Sequence, residues 1–367
     1  MNEKLTIAFA VLLLVPLLFA APALGQEAGE AFNFYADLSG EEEVPQVETE
    51  GQGAAALSVT ESDPQKLDYV LVTYGLEDIV QAHIHLCAPG ENGPVVTFLF
   101  SASNGPVARN GTLASGTVSE DELIAVSAAD AQCLEEDFGA TMDELLQHMR
   151  AGDAYVNVHT EANPGGEIRG QTRALPPPGS AGGTFTDDDG NLHEGNIETM
   201  AAADITQGCT ADGTEYCPAD SVTREQMASF IVRAFGVPPD PSGRDFFTDD
   251  EGSIHEADIN ALAAAGITKG CSADGTLYCP TDSVSREQMA SFLSRALGLR
   301  FSNVDFFTDD DGSIHEPAIN ALAAAGITQG CSADGTLYCP TDAVPRDQMA
   351  SFLARALELR PMPPPAG

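Results

Sequence analysis

Positive charge is scarce in this sequence. Its 367 residues include 16 Lys and Arg against 56 Asp and Glu, which gives a net charge of −40 at pH 7. The lysines are Lys4, Lys66 and Lys269. A surface of this sign repels the phosphates of nucleic acids and anionic lipids, so neither is expected as a partner. The composition is instead typical of an acidic protein with well-solvated faces.

The signatures of common catalytic sites are also absent from the sequence. It contains no glycine-rich phosphate loop, no nucleophile elbow and no HExxH zinc motif. Hydrophobic residues nevertheless make up 43% of the chain, which is enough for packed cores. We therefore expect a folded, non-catalytic protein of two or three domains.

One long apolar stretch is present, and it lies at the start of the chain. "LTIAFAVLLLVPLLFA" follows Lys4 and precedes the small-residue sequence "APALGQ". This pattern predicts a secretory signal peptide over residues 1–25, cut before Gln26. An uncleaved membrane anchor is the alternative, because the apolar run is nearly long enough to span a bilayer. No later segment is, so we expect the mature protein to be secreted.

The cysteines all lie in the part of the chain that would be exported, where disulfide bonds form. Six of them recur in pairs at one spacing, which favours local bonds, and the other two would pair in the N-terminal region. Zinc binding is the alternative, although no CxxC pair is present. The expected bonds join Cys87 to Cys133, Cys209 to Cys217, Cys271 to Cys279, and Cys331 to Cys339.

The C-terminal half of the chain repeats one pattern three times. "FTDDDG" at Phe185 returns as "FTDDEG" at Phe247 and as "FTDDDG" at Phe307. Each unit continues with a helical pattern that ends near glycine, a cysteine loop and a second amphipathic helix such as "VSREQMASFLSRAL". One unit is too small to bury its own apolar face. We therefore expect the three units to pack around a shared axis.

The N-terminal region has the pattern of β-structure. Short runs such as "KLDYVLVTYG" and "DAYVNVHT" are rich in Val, Leu, Tyr and Thr, and one helical segment, "TMDELLQHMRAG", interrupts them. The predicted fold is an antiparallel β-sandwich or barrel, followed by an all-α pseudo-trimer of three helix–loop–helix repeats. The predicted divisions are a signal peptide at 1–25, a β domain at 32–173, a Pro/Gly linker at 174–183, repeats at 184–236, 246–299 and 306–360, and a tail at 361–367.

Histidines in the β region form one candidate metal site. His83 and His85 in "AHIH" are two residues apart on a predicted strand, so their side chains share a face. His159 in "NVHT" lies on another strand and could join them, and Glu167 could approach. Three imidazoles would suit zinc or copper, which leaves a metal-dependent redox enzyme as an alternative function. Otherwise the histidines hydrogen-bond to turns such as "PGENG" and "ANPGG".

Both halves of the chain resemble known families. "FYADLSGEEEVP", "AHIHLCAPGENGPVV" and "LLQHMRAGDAYVNVHTEANPGGEIRGQ" resemble the CHRD domain, a β-rich extracellular module first recognised in chordin. Residues 184–360 resemble three S-layer homology repeats through the order F-x-D, I-x-x-L-x-x-x-G-I-x-x-G, Y-x-P and V-[TS]-R-[ED]-Q-M-A-x-F-L-x-R-A-L. The second resemblance implies a helical pseudo-trimer that binds cell-wall polysaccharide in grooves between repeats.

The resemblance to the S-layer homology repeat also implies which residues hold the polymer. An arginine stands at the start of each second helix, where a guanidinium and free backbone N–H groups suit a carboxylate. Pairing with nearby Asp residues is the alternative. The family's tryptophan is missing, since the chain has none, and histidines take the corresponding places. The candidate polymer-binding residues are Arg224, Arg286, Arg346, His193, His255 and His315.

The acidic run at the start of each repeat raises the question of calcium. EF-hand spacing does not fit, because Glu194 is the eighth residue counted from Asp187 rather than the twelfth. No cofactor is therefore expected, with calcium, zinc and copper as alternatives. The sequence predicts a non-covalently wall-anchored protein that displays a CHRD-like domain. An adhesin whose repeats bind an extracellular protein is a further alternative.

Overall fold

The computed structural model of the chain describes residues 33–60, 64–175 and 183–358. The predicted signal peptide and tail, and most of the predicted linker, lie outside these residues. The strands are β1 (Asn33–Ser39), β2 (Gln52–Val59), β3 (Leu67–Tyr74), β4 (Ile79–Leu86), β5 (Val95–Ser101), β6 (Gly111–Val118), β7 (Ala154–Thr160), β8 (Ile168–Gln171) and β9 (Arg173–Ala174). The helices are α1 (Met142–Ala151), α2 (Glu194–Ala202), α3 (Arg224–Phe235), α4 (Glu256–Ala264), α5 (Arg286–Ala296), α6 (Glu316–Ala324) and α7 (Arg346–Ala356).

The strands form one antiparallel sheet that curls into a nearly closed barrel. Their order is β5-β4-β7-β8-β1-β2-β3-β6, with β9 beside β1, and the end strands β5 and β6 contact each other. Alternate residues of each strand point into the barrel, and these inward residues are apolar. Leu57, Leu71, Ile84, Val156 and Ile168 all lie in this buried core. The predicted β domain is confirmed as a barrel.

The helices of the three repeats pair across repeats. The first helix of each repeat packs against the second helix of the preceding repeat: α4 against α3, and α6 against α5. Helix α2 of the first repeat packs against α7 of the third, which closes the circle. The C-terminal region is thus the predicted pseudo-trimer, and each repeat supplies half of two different helix pairs.

Three valines just before the second helices form a hydrogen-bonded ring that joins the repeats. The N–H of Val222 donates to the carbonyl of Val344 at 2.9 Å, and that of Val344 to Val284 at 3.0 Å. The N–H of Val284 donates to Val222 at 2.9 Å and completes the cycle. All three side chains are fully buried. No unit can make this ring alone, so the ring stabilises only the complete set of three.

The second helices begin where the sequence predicts. Thr223 with Gln226 and Ser285 with Gln288 form capping boxes, in which each side chain bonds to the other residue's backbone N–H. Pro345 supplies no side-chain cap at the start of α7. The third repeat therefore relies on its packing against the other two.

All predicted disulfide bonds are present. The bonds Cys209–Cys217, Cys271–Cys279 and Cys331–Cys339 each close the loop between the two helices of one repeat, and Cys87–Cys133 links the end of β4 to the segment before α1. The loop bonds fix the segments that contact neighbouring repeats. Local pairing, inferred from the recurring spacing, is confirmed.

The barrel and the repeats share a hydrophobic core, although the sequence indicates two regions joined by a linker. The outward-facing residues of β1, β2 and β3 belong to the same buried cluster as the repeat helices; they are Tyr35, Ala54, Ala56, Val70, Val72 and Tyr74. The hydroxyl of Tyr35 donates to the Arg233 carbonyl near the end of α3 at 2.9 Å. The Thr112 N–H of β6 donates to the Leu297 carbonyl after α5 at 3.0 Å. The barrel wall therefore rests on the C-terminal ends of the second helices.

Gly236 offers a test of this shared core. It follows α3 with φ 62°, and a Cβ added there would lie 2.6 Å from the carbonyl oxygen of Gly53 in β2. Gly266 follows α4 with φ 73° and has open space around it. Alanine in the left-handed conformation costs about 1 kcal/mol at either position, but only Gly236→Ala must also push the barrel away. We expect Gly236→Ala to lower the free energy of unfolding by about 2 kcal/mol more than Gly266→Ala, measured by urea denaturation. Equal losses for the two variants would contradict the shared core.

Candidate functional site

The first candidate site lies on the outer face of β4 and β7. Their inward residues fill the barrel core, so the alternate positions point outwards. His83, His85 and His159 occupy such positions and are called the histidine cluster below. His83 Nδ1 lies 3.1 Å from His159 Nε2, and one ring nitrogen from each of the three lies within 4.8 Å of the others. The structure thus brings together the residues that the sequence predicts.

Two loops hold two of the imidazole rings. His85 Nδ1 lies 3.0 Å from the carbonyl oxygen of Gly93 in "PGENG", and His159 Nδ1 lies 3.1 Å from that of Pro164 in "ANPGG". A carbonyl can only accept, so Nδ1 donates in both rings and Nε2 keeps its lone pair. The predicted bonds to the turns are therefore present, and they leave Nε2 of both rings as an acceptor.

Burial keeps the histidine cluster uncharged. Each side chain is at most 8% exposed. Loss of hydration lowers the pKa of His83 to about 3 and that of His85 to about 4, and it also lowers the pKa of His159. The neutral imidazole is the form that binds metal ions. Glu167 is engaged elsewhere: its carboxylate accepts hydrogen bonds from the hydroxyls of Thr49 at 2.6 Å and Thr160 at 2.5 Å.

An aromatic stack supports the histidine cluster. The ring of Tyr155 lies parallel to that of His85 with centroids 4.8 Å apart, and the Arg169 guanidinium lies 3.6 Å from the centre of the tyrosine ring. The Tyr155 hydroxyl accepts a hydrogen bond from the Gly93 N–H at 2.9 Å. The loop that orients His85 therefore also fixes the ring against which His85 packs.

The second candidate site is a cleft between repeats. It has a volume of about 540 Å³ and lies between the loop 206–213, α3 and the start of α4. Arg233 and Gln226 line it from α3, and Ile254 and His255 line it from the next repeat. Ile254 is 93% exposed, which is unusual for a large apolar side chain. A cation, an amide and an exposed apolar surface together suit an acidic sugar.

Equivalent residues recur in the other two repeats. Arg295 and Arg355 hold the position of Arg233, and all three side chains are exposed. Ile314 and Leu192 hold the position of Ile254 and are 90% and 92% exposed. These residues were not among the predicted binding residues. The indication was available, because an arginine recurs at one position of each second helix in a chain that has few basic residues.

The arginines predicted from the family resemblance are buried at the junctions between repeats. Arg224 is 5% exposed, and Arg286 and Arg346 are 4% exposed. Each forms a reciprocal pair with a tyrosine of another repeat: its Nε donates to the tyrosine carbonyl, and the tyrosine hydroxyl donates to the arginine carbonyl. These pairs are Arg224–Tyr278, Arg286–Tyr338 and Arg346–Tyr216. The arginines therefore join the repeats, whether or not they also contact a polymer.

The remaining nitrogens of these arginines differ between repeats. Arg346 lines the floor of the cleft, and its Nη2 donates to the Gly208 carbonyl at 3.1 Å. The Nη2 atoms of Arg224 and Arg286 are buried and have no hydrogen-bond partner among the described residues. Direct contact of these guanidinium groups with a polymer stays a prediction.

The predicted histidines of the repeats also lie at junctions. His255 Nδ1 is 2.7 Å from the Ser229 hydroxyl of the preceding repeat. The same contact joins His315 to Ser291 and His193 to Ser351. His255 in addition lines the cleft. A contact of these rings with sugar is untested by the structure.

Comparison with known proteins assigns the barrel. Residues 34–172 match the CHRD domain family, so this part of the chain is a CHRD domain, as the resemblance in sequence predicts. The chain is also 30% identical over 183 residues to the exoglucanase XynX of Acetivibrio thermocellus and, over a stretch of the same length, to an amylopullulanase of Thermoanaerobacterium thermosulfurigenes. It is 37% identical over 100 residues to an endoglucanase of Bacillus sp. (strain KSM-635).

These similarities cover parts of each protein. The 183-residue matches take in 48% of this chain, and they span 16% and 10% of the two relatives. The match to the endoglucanase takes in 27% of this chain and 10% of that protein. Both 183-residue matches are longer than the CHRD domain, so they include residues outside it.

Location outside the cell is consistent with these findings. Disulfide bonds persist in oxidising surroundings, and four are present among the described residues. Within the same residues, no helix is long and apolar enough to cross a membrane.

Glu43 gives a pH-dependent test of the buried polar groups near Arg169, the residue that lies over the Tyr155 ring. It is 4% exposed, and burial raises its pKa to about 7 although Arg169 opposes the shift. A raised pKa in the folded state means that the folded protein holds the proton more tightly, so stability is lost as the pH rises from about 4.3 through 7. We expect Glu43→Gln to raise the free energy of unfolding by about 2 kcal/mol more at pH 8 than at pH 4.5. Urea denaturation beside the exposed variant Glu41→Gln measures this, and an effect independent of pH would refute it.

Arg286→Ala tests the junction role of the buried arginines. Its loss leaves the Tyr338 carbonyl and the Gln348 side chain without their partner at 2.7 and 3.0 Å. We expect the free energy of unfolding to fall by about 3 kcal/mol, because buried polar groups become unsatisfied. The exposed Arg355→Ala should change it by less than about 1 kcal/mol. Thermal denaturation of both variants measures these changes. Similar small losses of unfolding free energy in both would show that the pair with Tyr338 adds little to stability.

Proposed function

We propose that this chain is an exported, non-catalytic protein of the cell envelope. In this proposal, the three repeats hold it to an anionic cell-wall polysaccharide through the clefts between them, and the CHRD domain is displayed. The observation that carries the proposal is the threefold recurrence of an exposed arginine beside an exposed apolar residue. Arg233, Arg295 and Arg355 keep this place in a chain with a net charge of −40.

Electrostatics favours an anionic ligand at these positions. A strongly acidic surface repels an anionic polymer at long range, so binding requires local cations in contact with the polymer. A guanidinium suits this task, since it can hold a carboxylate through two parallel hydrogen bonds. The adjacent exposed side chains, Ile254, Ile314 and Leu192, offer an apolar surface to the face of a sugar ring.

Three clefts on one rigid ring would act together. Once one cleft holds a chain segment, the others meet the same polymer at a high effective concentration. Weak contacts then add up to firm attachment. The resemblance of the repeats to S-layer homology repeats and the similarity to enzymes named for polysaccharide substrates both support a polysaccharide as the ligand.

The barrel is compatible with this arrangement. The described cleft is lined by repeat residues alone, while the barrel rests on the C-terminal ends of the second helices. Polymer binding would therefore use side chains of the repeats, although the backbone carbonyl of Arg233 also accepts a hydrogen bond from Tyr35 of the barrel. A metal ion in the histidine cluster would make the displayed domain a metalloprotein without altering attachment.

The exposed arginines provide the test. We expect the full-length mature protein to sediment with purified wall sacculi, and the triple variant Arg233→Gln/Arg295→Gln/Arg355→Gln to bind at least ten times more weakly. The matched control is Lys66→Gln/Arg109→Gln/Arg300→Gln, which removes the same charge away from the clefts. Chemical removal of the acidic wall polymer should abolish binding of the unchanged protein.

Two results would overturn this function. One is equal binding by the two triple variants, which would leave net charge as the cause. The other is failure of the folded protein to bind sacculi at all. If the folded protein then captured a surface protein specifically, an adhesin would be favoured.

A further inference from the structure

The histidine cluster brings one ring nitrogen from each of three histidines within 4.8 Å of the others. The Gly93 and Pro164 carbonyls fix the tautomers of His85 and His159, so that Nε2 of each carries a lone pair and no proton. Nε2 of His85 is buried and has no hydrogen-bond partner among the described residues. A buried acceptor without a donor is costly, and in a native protein it calls for a missing partner.

His83 completes the set. Its Nε2 lies 3.1 Å from the side-chain oxygen of Gln81, which accepts a hydrogen bond, so Nδ1 carries the lone pair. His83 Nδ1 and His159 Nε2 then face each other across 3.1 Å with no proton between them. This contact is repulsive unless a cation joins the two nitrogens. A shared proton would do so only if the Gln81 amide turned its NH₂ towards His83.

The distance between two of the nitrogens fits a metal ion. Bonds of 2.0–2.1 Å from zinc to imidazole, arranged tetrahedrally, place two ligand nitrogens roughly 3.3 Å apart. The pair formed by His83 and His159 is within a few tenths of an ångström of this value, and the third nitrogen, which lies within 4.8 Å of the others, must move closer to bind the same ion. The carbonyls on the far side of two rings are the outer partners that metal-bound histidines need.

We propose that the CHRD barrel binds one Zn²⁺ or Cu²⁺ ion through His83 Nδ1, His85 Nε2 and His159 Nε2. Three neutral imidazoles select these borderline ions over Ca²⁺ and Mg²⁺, which take oxygen ligands. No carboxylate belongs to the cluster among the described residues, so a fourth position is left for water or a small ligand. The bound ion joins β4 to β7.

Metal titration of the full-length mature protein tests this site. After removal of metals with EDTA, we expect one equivalent of Zn²⁺ or Cu²⁺ to bind at micromolar concentration or below, and to raise the midpoint of thermal unfolding. The Cu²⁺ form should show nitrogen couplings in its electron paramagnetic resonance spectrum. His85→Gln and His159→Gln should each weaken binding at least a hundredfold, while His148→Gln, a histidine on α1, should leave it unchanged.

Two outcomes would overturn the site. One is that the unchanged protein shows neither a 1:1 complex nor a shift in thermal unfolding, a result that does not depend on whether any variant folds. The other is a complex whose affinity is the same in His85→Gln and His148→Gln. Either result would leave the cluster as three hydrogen-bonded histidines.

A different observation concerns a buried acid in each repeat. Asp188, Asp250 and Asp310 are each 1% exposed, and neither carboxylate oxygen of any of them has a hydrogen-bond partner among the described residues. Burial, and then neighbouring acids, raise the pKa of Asp188 to about 7 and those of the other two to about 6. Six orphaned oxygens at equivalent places call for a common partner.

Each buried aspartate has a second acidic residue near it. This second acid occupies a different sequence position in the first repeat than in the other two. In the second and third repeats, Asp245 and Asp305 act on the buried Asp, and in the first repeat Glu198 does so. Gly183 stands where the other repeats have Asp245 and Asp305, and a Cβ on it would lie 2.9 Å from Glu198 Oε1. The Glu198 side chain therefore fills the space of the missing aspartate.

The position of Glu198 in the first helix also differs between repeats, but there the first repeat has the acid and the other two do not. Asn260 and Asn320 stand at the place of Glu198, and their side-chain oxygens accept from the N–H groups of Phe246 and Phe306 at 2.9 and 3.0 Å. Glu198 accepts from the equivalent N–H of Thr184 at 2.9 Å. An asparagine would suffice for this hydrogen bond. The added charge in the first repeat thus compensates for the glycine and keeps a second carboxylate at each site.

We infer that each repeat binds one Ca²⁺ ion at its buried aspartate, with the neighbouring carboxylates as further ligands. Buried carboxylates with free oxygens are ligands for a hard cation. Titration calorimetry of the full-length protein, freed of calcium by EGTA, should show three equivalents and a rise in thermal stability. Asp188→Asn/Asp250→Asn/Asp310→Asn should abolish both, whereas the exposed control Asp189→Asn/Glu251→Gln/Asp311→Asn should keep them.

The exchange in the first repeat supplies the sharpest variant. Glu198→Asn should remove one of the three equivalents, and the addition of Gly183→Asp should restore it by copying the other repeats. No binding heat and no stabilisation of the unchanged protein at 10 mM CaCl₂ would overturn the inference, as would three equivalents in Glu198→Asn.

Discussion

No repeat of this protein can bury its own apolar face, and the architecture of the C-terminal half depends on that constraint. Each first helix finds its partner in the preceding repeat, and the valine ring and the arginine–tyrosine pairs join the repeats in the same cyclic order. One contact of each kind joins the third repeat to the first and closes the ring: α2 with α7, Val222 with Val344, and Arg346 with Tyr216. Closure therefore joins three small units into one ring, and the described cleft takes its lining from all three of them.

The barrel also depends on packing against the repeats. Strand β2 contains "GAAALSV", in which small and apolar residues occupy both faces, and both faces are buried: one in the barrel and one against the repeats. The second helices thus make tertiary contacts at both ends. Their N-termini form the junctions between repeats, and their C-termini support the barrel wall. The histidine cluster lies on β4 and β7, whose outward face is free of this packing because β1, β2 and β3 form the interface.

Much of this could be predicted from the sequence where one chemical rule decides. Thr223 and Ser285 cap helices because their hydroxyls stand three residues before glutamine, and the cysteine pairs follow from one spacing. His83 and His85 share a face because a strand has a period of two. The pairing of helices across repeats was beyond reach, since an amphipathic pattern shows which face is buried but not against what. Strand β6, "GTLASGTV", was missed because its glycines and polar residues mask the alternation.

The arginines show where local reasoning misleads. A guanidinium at a helix N-terminus is a sound anion site if it is exposed, but Arg224, Arg286 and Arg346 are buried against tyrosines of other repeats. Exposure depends on packing between units, which the helix pattern alone does not reveal. The exposed arginines in the last turn of the same helices, such as Arg233, can be recognised as candidate binding residues only once the cleft is known.

Hydrogen–deuterium exchange of the full-length protein, with and without purified wall polysaccharide, is the decisive measurement of whether the repeats bind the polymer through the surfaces between them. We expect slower exchange on binding in the loop 206–213, in its equivalents 268–275 and 328–335, and around Ile254, with the barrel strands unchanged. Protection confined to the barrel, or none in the presence of saturating polymer, would contradict this expectation.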